Sequence, residues 1–434
     1  MSEHDKPSGP LVDEDHGPAP GTPKPLDLDG LAPTFASSYG SNELALDEGR
    51  ELVSLATLPG WDPNGREPPA IFGSATAPDG HGLGAHFSDA IGHGLRPGEM
   101  LAIGAASAGA GKTAFLMQLV DGLALRNVDE PDGRNAWGSV LTPVLVASEM
   151  GIDALTWRSL ARWTGFSSAI FRGGRTVLNH GTDSQKRNAR AAWTAGQSAL
   201  SSSSPLGRSR RWLRLMSAPH VGSLLGGDGG GPQAFVFELE RIVETWREQL
   251  AKETKREVVP IVVLDPLQRY QGGDDAIDAL NELSRSLCTS TVEKKWITLV
   301  TSDTNKASAK GDKVTGASDA EEATAAFRGS YNLMHEVTAA VALRTSKTLF
   351  PSDDEQKRGV RVVEAVFAKQ RWGSAALPWP TFVFEGSTLR FFPMSREKTE
   401  AALTAAETRK QAESASKGSK TAKPSAGPKV ELDE

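Results

Sequence analysis

The chain has a single cysteine, Cys288, in 434 residues. One thiol excludes an intramolecular disulfide and any zinc site built on two or more cysteines. Aromatic side chains are scarce, at 6%. Long apolar runs are missing as well: no stretch reaches about 18 residues, and no secretory apolar region follows Met1. Both absences predict a cytoplasmic protein with no membrane association. Positive charge is not in excess either. The net charge is −6, which removes a global basic footprint for nucleic acid. Hydrophobic residues make up 38%, enough for a core in part of the chain but not for a uniformly globular one.

Charge is unevenly placed. Residues 1–60 hold 11 acidic and 3 basic side chains, whereas residues 61–394 hold 36 and 37. Residues 1–40 also contain seven prolines. Such a segment buries too little apolar surface to offset its chain entropy. The expected organisation is therefore a disordered, acidic, Pro-rich arm over 1–60, one large domain over 61–394, and a low-complexity tail over 395–434. Residues 42–56 can form a short helix. The tail begins with a helical stretch near Arg396–Lys410, and both tails read as linkers or solubility elements, with a docking arm for a protein partner as the alternative.

Within the body, short β-branched runs alternate with helical stretches. Strands are expected at Met100–Gly104, Pro143–Ser148, Pro260–Leu264, Ile297–Thr301, Ala339–Leu343, Val360–Ala368 and Phe382–Phe384. Helices are expected at Lys112–Arg126, Ile152–Thr164, Gln185–Ala199, Phe235–Lys255 and Asp275–Val292. This alternation implies an α/β fold with a mostly parallel, twisted sheet flanked by helices. Ligands bind such sheets beyond the carboxyl ends of the strands. Two stretches break the pattern and read as surface excursions: SSAIFRGGRTVLNHGTD, and SSSSPLGRSRR through LLGGDGGGPQ.

The strongest motif is GAASAGAGKTAFLMQLV at Gly104–Val120. An apolar strand runs into a loop of small residues, then Gly111-Lys112-Thr113, then an amphipathic helix. This is the setting of a phosphate-binding P-loop. Small residues let successive backbone N–H groups curl round an anion, and the helix N-terminus adds positive potential. Residues Ala106, Ser107, Ala108, Gly109, Ala110, Gly111 and Ala114 would cradle the phosphates. Lys112 would reach the β- and γ-phosphates, and Thr113 would hold Mg²⁺. Ala106 stands where the strict pattern has glycine, which is tolerable at negative φ.

Two acids complete the chemistry. VPIVVLD ends at Asp265 and PVLVASEM at Glu149, each just past an apolar strand. Asp265 is placed to hold Mg²⁺ through water, and Glu149 to polarise an attacking water.

In order, these motifs resemble the RecA-like ATPase core of hexameric helicases, over about Gly82 to Pro393. Glu149-Met150 with Leu155 and Arg158 matches the E-M-x4-L-x2-R of the DnaB-type helicase C-terminal domain. DPLQRYQGGDD at Asp265–Asp275, SDTNK at Ser302–Lys306 and FRGSYNL at Phe327–Leu333 are similar to plasmid RepA-type ATPases. The resemblance implies a P-loop NTPase that uses ATP and Mg²⁺ in a hexameric ring. It makes Glu149 the catalytic carboxylate and Asp265 the Walker B acid. Lys369 and Arg371 become the K-x-R inserted into the neighbouring subunit's γ-phosphate site. Asp303 stands at the γ-phosphate sensor position, where these families carry glutamine or histidine. Residues 1–60 do not supply the helical collar domain of DnaB-type helicases.

In such rings, loops lining the channel hold single-stranded DNA. The corresponding stretch here, Asn305–Thr324, offers Lys306, Lys310 and Lys313. A second cluster, Arg208–Arg211 with Trp212 and Arg214, can touch phosphates or form a solvated turn, and the turn is expected. Trp157, Trp163 and Cys288 are expected in the core, and Trp372 and Trp379 at a subunit seam. The function implied is ATP hydrolysis coupled to movement along, or unwinding of, DNA in replication or repair. A nucleotide-gated regulatory ATPase and a RecA-like recombinase are the alternatives.

Overall fold

The strand Glu99–Ala105 (β1) explains how the fold is layered. Alternate residues of a strand point to opposite faces. Leu101 and Ile103 enter one core with Phe115, Leu119 and Leu155, while Met100 and Ala102 enter a second core with Phe235, Leu283 and Trp296. A strand apolar on both faces needs helices on both sides, and this is how a parallel sheet is covered. The computed structural model describes residue 91 and residues 94–105, 110–129, 140–147, 149–216, 231–270, 276–302, 323–324, 327, 331–346, 348–371 and 379–419. All belong to the unit Pro59–Glu434.

The remaining strands are Val140–Ala147 (β2), Arg214–Met216 (β3), Val258–Asp265 (β4), Ile297–Thr301 (β5), Ala339–Thr345 (β6), Val360–Gln370 (β7), Thr381–Glu385 (β8) and Arg390–Pro393 (β9). They form one nine-stranded sheet in the order β3-β2-β4-β5-β1-β6-β7-β8-β9. β3 to β6 run parallel through the sheet, and β7 to β9 add an antiparallel edge.

The helices are Lys112–Asp129 (α1), Ile152–Thr164 (α2), Ser168–His180 (α3), Asp183–Leu200 (α4), Pro205–Ser209 (α5), Pro232–Thr254 (α6), Ala276–Lys294 (α7), Tyr331–Glu336 (α8), Asp353–Lys357 (α9) and Arg396–Ser419 (α10). None of the described helices is long and apolar enough to cross a membrane. α1 is held by burial of Phe115, Leu116, Met117 and Val120. Each large side chain there contributes about 1.5–3 kcal/mol of transfer free energy. Phe115 meets the rings of Phe382 and Phe391 edge-on, at 5.8 and 5.4 Å between centroids.

The expected strands are present, each within a few residues of its predicted limits. Two short ones, β3 and β9, were not expected. The larger difference is α3. SSAIFRGGRTVLNH was expected to be irregular, yet it is helical from Ser168. Gly173 and Gly174 depress its intrinsic propensity. Tertiary contact overrides them: Ser167 caps the helix, and Phe171 packs onto Gly196 of α4. The Arg208–Arg211 stretch ends α5 and enters a 3₁₀ turn over Arg210–Trp212, with all three arginines exposed to solvent as expected. α10 runs nine residues beyond the expected Lys410, through a segment rich in the helix-favouring Ala, Glu, Lys and Gln. Trp157, Trp163 and Cys288 are half-buried rather than in the core, because they stand at the edges of α2 and α7.

Candidate nucleotide site

β1 ends at Ala105, and α1 begins at Lys112. Ala110 and Ala114, on either side of that start, are buried. Gly111 has φ of 92°. A Cβ at that position would stand 2.8 Å from Phe391 Cζ and 3.2 Å from Phe384 Cζ. The left-handed backbone and the missing space both call for glycine. The Gly111 carbonyl accepts from the Phe115 N–H and so opens the helix. Farther along α1, Gln118 pairs with both backbone groups of Phe391, donating to its carbonyl and accepting from its N–H, each at 2.8 Å. The antiparallel edge of the sheet thus packs against the start of α1.

β5 lies between β1 and β4, so the phosphate turn and Asp265 are one strand apart at the same edge. Two hydrogen bonds span that gap. Lys112 Nζ donates to the Ser302 carbonyl at 2.7 Å. The Thr301 hydroxyl donates to Asp265 Oδ1 at 2.6 Å. Gln268 Nε2 donates to Ser302 Oγ at 2.7 Å. Asp265 is buried, so its carboxylate is oriented rather than free to wander. The Asp265–Pro266 peptide is cis.

Glu149, at the end of β2, is 44% exposed and pairs with Arg269 at 2.7 Å. Arg269 follows β4, so the pair bridges the carboxyl ends of neighbouring strands. Arg158 on α2 matched the family pattern but was given no role from sequence. Burial pushes its guanidinium below the usual range, Arg162 adds to that, and the charge of Asp265 opposes it. Arg158 therefore belongs to the electrostatics of the acid site. Its family spacing was the only sequence signal.

The site residues fall into three groups. Ala110, Gly111, Lys112, Thr113, Ala114, Asp265 and Glu149 gather at the carboxyl edge of the sheet. Lys369 and Arg371 do not. Lys369 Nζ donates to the carbonyls of Met334 and His335 at 2.5 and 2.8 Å, and Arg371 to that of His335 at 2.9 Å. They cap the C-terminal end of α8, where cations meet the negative end of the helix dipole. Burial, and then Arg371, push the Lys369 ammonium below its usual range. Ala106, Ser107, Ala108, Gly109, Asp303, Lys306, Lys310 and Lys313 lie outside the described residues, as does Trp372. Trp379 packs beside Phe367, with ring centroids 6.3 Å apart.

Thr113, next to Lys112 in the chain, and Asp265 offer hard oxygens, a hydroxyl and a carboxylate, which suit Mg²⁺. Among the described residues no group of three or more His, Cys, Asp or Glu could hold a metal ion. A cation here would take its remaining ligands from phosphate and water.

No family model and no curated protein matches the sequence. Among solved structures the chain is similar to the "ATPase Domain of G40P", with 15% identity and a TM-score of 0.48 over 72% of this chain and 90% of that one. It is also similar to a chain of "The Structure Of A DnaB-Like Replicative Helicase And Its Interactions With Primase". There the identity is 16% and the TM-score 0.47, over 71% of this chain and 61% of that one.

Proposed function

We propose that the chain binds ATP with Mg²⁺ at the carboxyl ends of β1, β4 and β5 and hydrolyses it as a RecA-like, DnaB/RepA-type ATPase. The proposal includes a hexameric ring and coupling of turnover to movement along single-stranded DNA. One observation carries it. Lys112 and Asp265, 153 positions apart in sequence, are tied to the two consecutive residues Ser302 and Thr301 at the end of β5. A phosphate-reaching cation and a buried acid are thereby held at fixed separation beside the turn at Gly111.

In this reading the Lys112 ammonium, which donates to the Ser302 carbonyl, turns to phosphate oxygens when nucleotide binds. Thr113, one residue into α1, and Asp265 would hold the cation. When bound, Mg²⁺ neutralises charge on the phosphates. Glu149 orients the attacking water once its pairing with Arg269 loosens. The register suits a site completed by a second copy. Lys369 is level with Ala340, which pairs with Ala102, and the Arg371 N–H bonds Thr338, whose own N–H bonds Met100. Arg371 therefore lies about 16 Å along the strand from the end of β1. It can serve only another copy's γ-phosphate, where an arginine stabilises developing charge.

The Glu149–Arg269 pair favours a second reading, a nucleotide-gated switch whose catalytic carboxylate is held by Arg269 until a partner releases it. ATPase rates with and without single-stranded DNA, wild type beside Lys112→Ala, separate the two. Stimulation by DNA that vanishes in the variant is the result expected for a motor. Turnover indifferent to DNA sinks the motor and leaves the switch.

A further inference from the structure

Residues 166–216 hold nine basic side chains and one acid, Asp183, whereas the rest of residues 61–394 holds 28 basic and 35 acidic side chains. Five of them, Arg172, Arg175, Lys186, Arg187 and Arg190, stand on the α3–α4 hairpin. The other four, Arg208, Arg210, Arg211 and Arg214, follow on α5, the 3₁₀ turn and β3. All are exposed except Lys186, which is half-exposed. None of the nine makes an ion pair among the described residues. A solvated face usually mixes both signs, and one so poor in acids suits a ligand that brings the counter-charge.

Two further features make this more than charge. First, two of the arginines lie against indole rings. Arg211 Cζ is 4.2 Å from the Trp212 ring centroid, and Arg214 Cζ is 3.3 Å from that of Trp246. Trp246 is fixed in turn, since its indole N–H donates to Thr142 Oγ1 at 2.9 Å and the Thr142 hydroxyl donates to the Trp212 carbonyl at 2.8 Å. A guanidinium laid on a ring keeps its N–H edge outward, already ordered for phosphate oxygens. Second, α4 buries Ala189, Ala192 and Gly196. That turns Lys186, Arg190, Trp193 and Gln197 into one stripe at i, i+4, i+7 and i+11. Trp193 is 65% exposed. A large ring left open beside cations is the platform on which an unpaired base stacks.

We propose that the α3–α4 hairpin, the turn after α5 and β3 form a docking surface for single-stranded nucleic acid. Its arginines take the phosphates and Trp193 takes a base. The surface shares no residue with the nucleotide site or with Lys306, Lys310 and Lys313, and it binds without ATP. The exposed aromatic decides for a single strand, because duplex bases are already stacked and offer phosphates alone.

The test is fluorescence anisotropy of a labelled oligothymidylate with the full chain in nucleotide-free buffer. It is done in a Lys306→Ala/Lys310→Ala/Lys313→Ala background so that the loop does not contribute. The expected result is retained binding that falls at least tenfold with Arg187→Glu/Arg190→Glu and again with Arg210→Glu/Arg211→Glu. The slope of log affinity against log salt should shrink by about 0.7 for each phosphate no longer neutralised. Trp193→Ala should weaken the single strand and leave duplex binding alone. Should a reversal unfold the chain by circular dichroism, the Arg→Gln pairs give the same reading with a smaller effect. No binding in the loop-free background, or affinity unmoved by both pairs, overturns the proposal. So does capture of polyglutamate but not oligonucleotide, which would assign the surface to an acidic protein segment.

Discussion

Phe391 Cζ lies 2.8 Å from where a Cβ on Gly111 would stand. The phosphate turn is therefore shaped by the far antiparallel edge of the sheet as well as by its own residues. Gly111→Ala forces an L-residue to φ of 92° and drives a methyl into the Phe384–Phe391 pair, stacked at 4.4 Å. Strain of about 1–3 kcal/mol and overpacking of similar size follow. The expected outcome is a lower melting temperature and weakened nucleotide affinity, read by thermal denaturation and equilibrium binding of a fluorescent ATP analogue. Phe391→Ala in the same background should restore part of the affinity by opening space, though not the φ strain.

Much of this was legible beforehand because strand and turn chemistry are local. VPIVVLD is an apolar run ending in an acid, and β5 occupies the predicted Ile297–Thr301. Gly-Lys-Thr after a strand likewise located the start of α1. Three kinds of feature were not legible. β3 is only three residues long and β9 four, too short for periodicity to register. α3 carries two glycines in its middle, so its helix rests on packing that sequence does not display. Pairings such as Glu149 with Arg269, 120 residues apart, depend on sheet order. Sequence motifs gave each acid a role but could not show that one already has a cation beside it.

Asp121 and Arg162 form a buried pair, 2.6 Å apart, that joins α1 to α2. Ser159 adds its hydroxyl to Asp121, and the Arg162 carbonyl accepts from Arg390 Nε on β9. This knot sets α2, and with it Arg158, against the phosphate helix. Asp121→Ala strands a buried guanidinium and is expected to cost about 3–5 kcal/mol. Asp121→Ala/Arg162→Met should recover most of that, since both charges are gone. Urea denaturation of the two variants checks the prediction, and equal destabilisation would show that the pair is not the source.

Cys288 is a built-in reporter of the α7–α8 corner. Burial, followed by the charge of Glu336, pushes its thiol above the usual range, while Arg371 and Lys369 pull the other way. The thiolate is the reactive form. Alkylation by iodoacetamide should therefore be slower at neutral pH than for an exposed thiol, and its pH midpoint should lie higher. Arg371→Ala removes an opposing cation and should raise that midpoint further. A profile that matches free cysteine would show that the corner opens in solution.

Arg371 reaches the carbonyl end of α8 at a level on the sheet well below its own phosphate turn. If it completes a neighbour's site, Arg371→Ala should lower kcat by about 10³ or more while leaving nucleotide affinity nearly intact. The decisive form of the experiment mixes two inactive variants. Lys112→Ala chains lack a phosphate lysine but carry Arg371, and Arg371→Ala chains have the reverse defect. In a randomly mixed ring about a quarter of interfaces combine an intact turn with an intact arginine, so activity should return in the mixture. A residue acting within its own chain allows no such rescue, because neither variant then contains a whole site. Sedimentation of the mixture alongside the assay fixes the reading: recovery must track ring formation and disappear on dilution to monomers.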